Sequence, residues 1–195
     1  MLATTDIVLR TVTVTAAVLL AGLLLTAGWR RPAALPGASL SLAVAAFFVT
    51  SLPDGGAALG AWDYPLTALC VTKAAWFWLF AGALFNDDAR LGGHHLAIVG
   101  IIAIAGTWQQ EVFLVQYRAG AAGAFETVMG FSIEGALLLF VLLGLYEASR
   151  DMAVDLVERR RRLRLGFIVA TGVYLTMTLG VQTYNLLLDV STPLL

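Results

Sequence analysis

Long apolar stretches divide this chain from end to end, each about the length of a bilayer crossing and each bounded by Gly, Pro or charged residues. A membrane-spanning helix needs ~20 predominantly apolar residues, because the hydrocarbon core is ~30 Å thick and each helical residue advances ~1.5 Å. Six stretches qualify, at about 7–28, 34–52, 66–85, 96–117, 127–146 and 165–188. The pattern predicts an all-α fold: a polytopic membrane helix bundle of about six transmembrane helices, with residues 1–195 forming a single integral membrane domain.

The breaks between these stretches fall where backbone can meet water, as unpaired backbone in lipid is costly. Arg30, Arg31 and Pro32 close the first, and Pro36-Gly37 opens the second. Pro53 to Gly56 and Asp63 to Pro65 frame the next loop, Asn86 to Asp88 end the third stretch, and Ala119 to Gly123 form a hinge of small residues. No helix broken by Gly or Pro and no inverted repeat is evident inside the stretches, which argues against a transporter. The first run has no positive leader before it, so it is expected to be a retained span and not a cleaved signal.

Composition agrees with this pattern. Hydrophobic residues make up 59% of the chain and charged residues 13%, against about 25% charged in soluble domains, and the mean hydropathy is +0.85. The net charge of −1 points to no polyanionic partner, and the lone Cys70 rules out an intrachain disulfide or a cysteine-rich metal site. Orientation follows from the basic residues. Arg30, Arg31, Arg90, Arg150, Arg159, Arg160, Arg161, Arg162 and Arg164 lie in the odd-numbered loops, against Arg10 and Arg118 on the other side. This places those loops in the cytoplasm and both termini outside, in a bacterial inner membrane.

Ionisable and amide groups inside the spans are the candidates for chemistry, because such groups usually face the bundle interior and find a partner there. Lys73, Glu111, Glu134 and Gln182 are each expected roughly 9–12 Å below the outer surface, at ~1.5 Å per residue. Gln109, Gln110, Asn185 and Tyr184 add polar groups at that level, and Trp76, Trp78 and Trp108 add rings. One reading is a buried pin, with Lys73 paired to Glu111 or Glu134. The other is an outward-facing pocket for a small polar ligand or ion. Two carboxylates against one Lys would then favour a cation or a proton.

The fifth loop carries acids ahead of bases at helical spacing, Asp155 to Arg159 and Glu158 to Arg162, which supports a helical extension. Arg159, Arg160, Arg161, Arg162 and Arg164 fix topology there and also suit anionic lipid headgroups. Nucleic-acid contact by this short, acid-interleaved patch is not expected. His94 and His95 point about 100° apart on a helix and cannot share one metal without strain. Facing histidines for a transmembrane haem are lacking, and only a single axial ligation to a haem or pigment would remain. Ser132 lacks the glycine spacing of a nucleophile elbow, and no zinc, P-loop or dinucleotide motif is present. No enzyme activity, cofactor or metal is expected.

Two segments carry a family resemblance. The run Trp76 to Leu91 (WFWLFAGALFNDDARL), followed by His95-Leu96, resembles the third span and inner loop of membrane-anchored AraC-type transcriptional regulators. Asp155 to Arg164 (DLVERRRRLR) ahead of an apolar span is similar to the same family. Its members join an N-terminal multi-span domain to a cytoplasmic helix-turn-helix domain. These residues contain no helix-turn-helix, and a seventh span would be needed to bring one inside. The resemblance therefore implies a sensory or regulatory membrane domain and assigns no DNA binding to this chain. The alternative is a non-catalytic accessory subunit packed against a larger membrane complex, such as one bearing pigments or haems. Partners are then the lipid bilayer and either other membrane subunits or further copies of the chain. Gly100, Gly106, Gly130 and Gly135 would permit close helix contact in either case.

Overall fold

The computed structural model describes residues 2–28, 31–52, 58–86, 91–150, 162, 164–171 and 173. Regular structure among them is helical throughout: α1 (Leu2–Gly28), α2 (Ala34–Thr50), α3 (Asp63–Val71), α4 (Lys73–Phe85), α5 (Gly93–Trp108), α6 (Leu114–Arg118) and α7 (Ala124–Ser149). A 3-10 turn, Gly60–Trp62, precedes α3, and a π-turn, Gln109–Phe113, joins α5 to α6. The chain divides into two compact units, 1–144 and 145–195.

Three helical stretches are long and apolar enough to cross a membrane: Thr5–Thr26, Gly93–Arg118 and Ala124–Ser149. A fourth is bent, as Gly60–Val71 and Lys73–Phe85 together reach the length but meet at 41°. α2 has 17 residues, which at ~1.5 Å each gives ~25 Å against a ~30 Å hydrocarbon core. Among the described residues, the first five of the six expected spans therefore become three full helices, one bent pair and one short apolar helix. The sixth expected span lies mostly outside the described residues; 164–171 are helical.

These helices turn apolar side chains outward. Leu9, Leu19, Leu23, Ile101, Ile104, Phe125 and Val128 are all more than half exposed, an arrangement that suits a lipid solvent. Hydroxyls in such helices must bond internally. Thr11, Thr13 and Thr26 each donate to the carbonyl four residues back, at 2.8 Å. Ser41, Thr50, Thr127 and Ser132 do the same at 2.7–3.0 Å.

Small residues make the packing of the first unit. α2 buries Ala34, Pro36, Gly37, Ala38, Ala43, Ala45 and Ala46. A Cβ on Gly37 would stand 2.8 Å from the Phe80 ring, so α4 closes onto α2 at that point. A Cβ on Gly106 would meet Val71 at 2.8 Å, which brings α5 against α3. Phe77 occupies the space beside Gly144, and Trp78 lies 5.4 Å from Phe140, so α7 packs on α4. Gly100 and Gly135, by contrast, face open space. Ala75, Trp76, Leu79 and Val99 form the buried centre, with Leu40, Trp78, Leu91 and Ile102 packed around it.

No helix broken by Gly or Pro is expected from the sequence, and the third stretch is bent at Thr72 all the same. The cause of the bend is neither Gly nor Pro. The buried Thr72 hydroxyl donates to the Leu69 carbonyl at 2.7 Å, a side-chain bond that competes with the backbone ladder and bends helices. The hinge between α6 and α7 forms where expected, as a C-terminal cap. Gly120 has φ +67°, Ala121 N–H donates to Gln116 O at 2.9 Å, and Gly120 N–H donates to Tyr117 O at 3.0 Å. This pair of bonds around a left-handed residue satisfies the last carbonyls of the helix.

In the second unit, Arg164 is 3% exposed. Its guanidinium donates to the Arg150 carbonyl, one of the groups left open just past the end of α7.

Candidate functional site

The fourth expected span changes its winding where its polar residues begin. α5 runs regularly to Trp108, and the next five residues, Gln109–Phe113, form a π-turn before α6 resumes. A π-turn inserts one residue into an α-helix and occurs often at functional sites. Here Gln109 turns inward, at 2% exposed, while Gln110 is exposed and Glu111 half-buried.

The Gln109 amide bridges to α7. Its Nε2 donates to Glu134 Oε2 at 2.8 Å and to the Gly130 carbonyl at 3.2 Å. Both partners are acceptors, so the amide orientation is decided by its neighbours: the NH₂ must face α7. Gln109 Oε1 is left buried with no hydrogen-bond donor, and Thr107 Oγ1 is likewise buried without a partner. An unmet polar atom in a low-dielectric interior costs roughly 1–3 kcal/mol. Such an atom is a place where a ligand's donor would be welcome.

Aromatic rings hold this bridge in place. Phe113 is 1% exposed and its ring fills the space beside Gly130, which has room for no side chain. Around it stand Trp108 (6.2 Å, near-parallel), Tyr117 (5.5 Å, tilted) and Phe131 (6.1 Å, edge-on). Tyr117 and Phe131 meet edge-to-face at 5.8 Å. Contacts of this type add ~0.5–1.5 kcal/mol each beyond burial. Phe131 is 47% exposed and lies three residues before Glu134, on the same side of α7.

Lys73 stands elsewhere. It is the first residue of α4, directly after the bend. Its Nζ lies 5.1 Å from the centre of the Phe47 ring and 4.0 Å from Cys70 Sγ. Among the described residues it makes no ion pair with Glu111 or Glu134. The structure thus joins Gln109 to Glu134 with Trp108 alongside, and seats Lys73 on α2 instead. Gln182 and Asn185 lie outside the described residues, as do Arg159, Arg160 and Arg161. Arg162 is exposed, and Arg164 is the buried cap of Arg150.

Two polar features escape a reading of the sequence. Arg10 pairs with Asp6 at 2.8 Å and also donates to Phe48 O at 3.2 Å and Ser51 Oγ at 2.7 Å. It therefore ties the start of α1 to the end of α2. His95 Nδ1 accepts the Gly92 N–H at 3.0 Å, capping α5, and the His94 ring lies tilted by 40° against it at 3.9 Å between ring centres. An accepting Nδ1 places the proton of the neutral ring on Nε2. The i,i+3 spacing from Gly92 to His95 was the available signal, and a His is an unusual cap. Nothing along the chain marked Phe113, Tyr117 or Phe131 beyond their being aromatic.

Comparison with known proteins finds no match: no family model, no curated protein and no solved structure is significantly similar to this chain.

Proposed function

We propose that this chain is a six-span sensory or regulatory domain of a bacterial inner membrane, of the kind fused to AraC-type transcription regulators, with a polar ligand site between α5 and α7. One observation carries the reading: Gln109 and Glu134 meet inside the apolar bundle, at the single π-turn among the described residues, with a buried acceptor left open. A sensor needs a site whose filling favours one helix packing over another. A π-turn supplies a segment whose winding differs from the α-helix on either side, and such turns occur often at functional sites. Filling Gln109 Oε1 would stabilise the winding that turns Gln109 inward. The basic residues of the odd-numbered loops then lie on the cytoplasmic side, where an output domain would respond.

Native mass spectrometry of the protein released gently from its own membrane tests this. The expected result is a bound small molecule that disappears in Gln109→Leu and Glu134→Leu. Release as part of a larger complex in fixed stoichiometry, with no small molecule attached, would overturn the proposal in favour of an accessory subunit. Reporter fusions after Arg31, Arg118 and Ser149 test the topology. Cytoplasmic signals at Arg31 and Ser149 and an external one at Arg118 are expected.

A further inference from the structure

We infer that the site between α5 and α7 takes an organic ammonium ion bearing at least one N–H, a primary or secondary amine in its charged form, and neither a metal cation nor an anion. This rests on reading the Gln109–Glu134 bridge as a ligand site.

The donor and acceptor balance sets the sign of the ligand. The bridge offers a half-buried carboxylate (Glu134), a buried amide oxygen with no donor (Gln109 Oε1) and a backbone carbonyl (Gly130). The amide's own N–H groups are already given to Glu134 and Gly130. Lys73, the one lysine of the chain, sits over Phe47 and makes no ion pair with Glu134. An anion would meet a carboxylate and a bare carbonyl oxygen, with no donor left to receive it. A cation that donates hydrogen bonds would satisfy both.

The surroundings then separate an organic cation from a metal. Calcium takes 6–8 oxygen ligands, and magnesium near-ideal octahedral geometry. The described residues hold no group of three or more His, Cys, Asp or Glu able to bind a metal. The bridge instead has aromatic rings beside it. Phe131 is 47% exposed, on the same side of α7 as Glu134, and Tyr117 meets it edge-to-face at 5.8 Å. Rings next to a carboxylate attract the C–H-rich shell of an alkylammonium through cation–π contact, while one carboxylate, one amide oxygen and one carbonyl fall short of the six oxygens that calcium or magnesium takes. The open Gln109 Oε1 adds a further demand. It is filled by an N–H and not by a methyl group, so a quaternary ammonium satisfies the charge while leaving the orphan oxygen as it was.

Binding to the full chain in lipid nanodiscs tests the inference by titration calorimetry. The probes are butylammonium, tetramethylammonium and sodium, all as chlorides at constant ionic strength. Butylammonium is expected to bind at least tenfold more tightly than either of the others. Glu134→Gln is expected to lose that binding by tenfold or more. Gln109→Met is expected to erase the preference for butylammonium over tetramethylammonium. Equal binding of sodium, equal binding of tetramethylammonium, or butylammonium binding unaltered by Glu134→Gln would each overturn the inference. Should the variants fail to give a monodisperse helical protein, the three-probe comparison on the unaltered chain decides by itself. The two readings fail separately. A native ligand of another class retained by the bridge would sink the ammonium and leave the sensor. Ammonium binding that leaves the solvent accessibility of a cysteine placed at Arg162 unchanged would sink the sensor and leave the ammonium.

Discussion

The α1–α2 hairpin and the α5–α7 pair are both helices packed in lipid-like surroundings, yet they treat polar groups in opposite ways. In α1–α2 the hydroxyls of Thr11, Thr13, Thr26, Ser41 and Thr50 bond back to their own helices, and the one long charged side chain, Arg10, lies near the helix ends, where it joins Asp6, Phe48 and Ser51. The helix contact itself is alanine and glycine against apolar side chains. In α5–α7 a Gln and a Glu enter the contact, a π-turn is needed to bring the Gln in, and one acceptor is left open. The first arrangement spends its polar groups on rigidity. The second keeps a polar group unspent inside the bundle, which structure alone does not require. That difference is why the proposed ligand site is placed at α5–α7.

Substitutions can break or sharpen this contrast, and the largest effect is expected at the glycine under Phe113. Gly130→Val should destabilise the protein by ~3 kcal/mol, at the upper end for forced overpacking. Gly135→Ala on the same helix faces open space and should stay within about 0.5 kcal/mol, as surface changes do. Unfolding in mixed micelles, followed by circular dichroism, compares the two. Next comes Gln109→Leu, which strips Glu134 of its amide donor and should cost ~2 kcal/mol. Adding Glu134→Leu should recover most of that loss, because replacing both partners by apolar groups removes the unmet demand. A double variant as unstable as the sum of its parts would say the pair is not one unit.

Arg10→Ala should cost ~1 kcal/mol or a little more, since part of its network is exposed and screened. The loss should appear as faster amide exchange at the end of α2 and not in α7. The smallest effect is expected at the α5 cap. His95→Ala removes one acceptor from the Gly92 N–H and should cost ~1 kcal/mol or less, read as fraying of the first turn by the same exchange experiment. If Arg10→Ala disturbed α5–α7 as much as α1–α2, the separation of roles drawn here would collapse.

How much of this was written in the chain differs by feature. Helix positions were legible, because apolar length and the Gly, Pro and charged breaks act locally. The hinge at Ala119 to Gly123 is an example, with Gly120 alone able to take the left-handed turn without strain. Depth in the bilayer was an expectation from length alone, since each helical residue advances a fixed distance. Depth, however, is only one coordinate. Which way Lys73 and Gln109 face goes with the Thr72 bend and the π-turn, and neither leaves a mark in hydrophobic periodicity. The expected Lys73–carboxylate pair was a statement about level, and rotation about the helix axis sends the ammonium to Phe47 instead. Gly106 and Gly130 make close contacts while Gly100 and Gly135 make none, for the same reason: a small residue permits approach, and the neighbour decides whether it is used.

The π-turn has a consequence for everything that follows it. One supernumerary residue offsets the screw phase of the remaining helix by about 100°, as an α-helix completes a turn every 3.6 residues. Tyr117 owes its seat beside Phe131 to that offset. Winding Gln109–Phe113 back to a regular spiral with every residue kept would swing Tyr117 about a quarter-turn away and part the ring pair, whereas excising one residue from the segment would absorb the offset and leave Tyr117 facing Phe131.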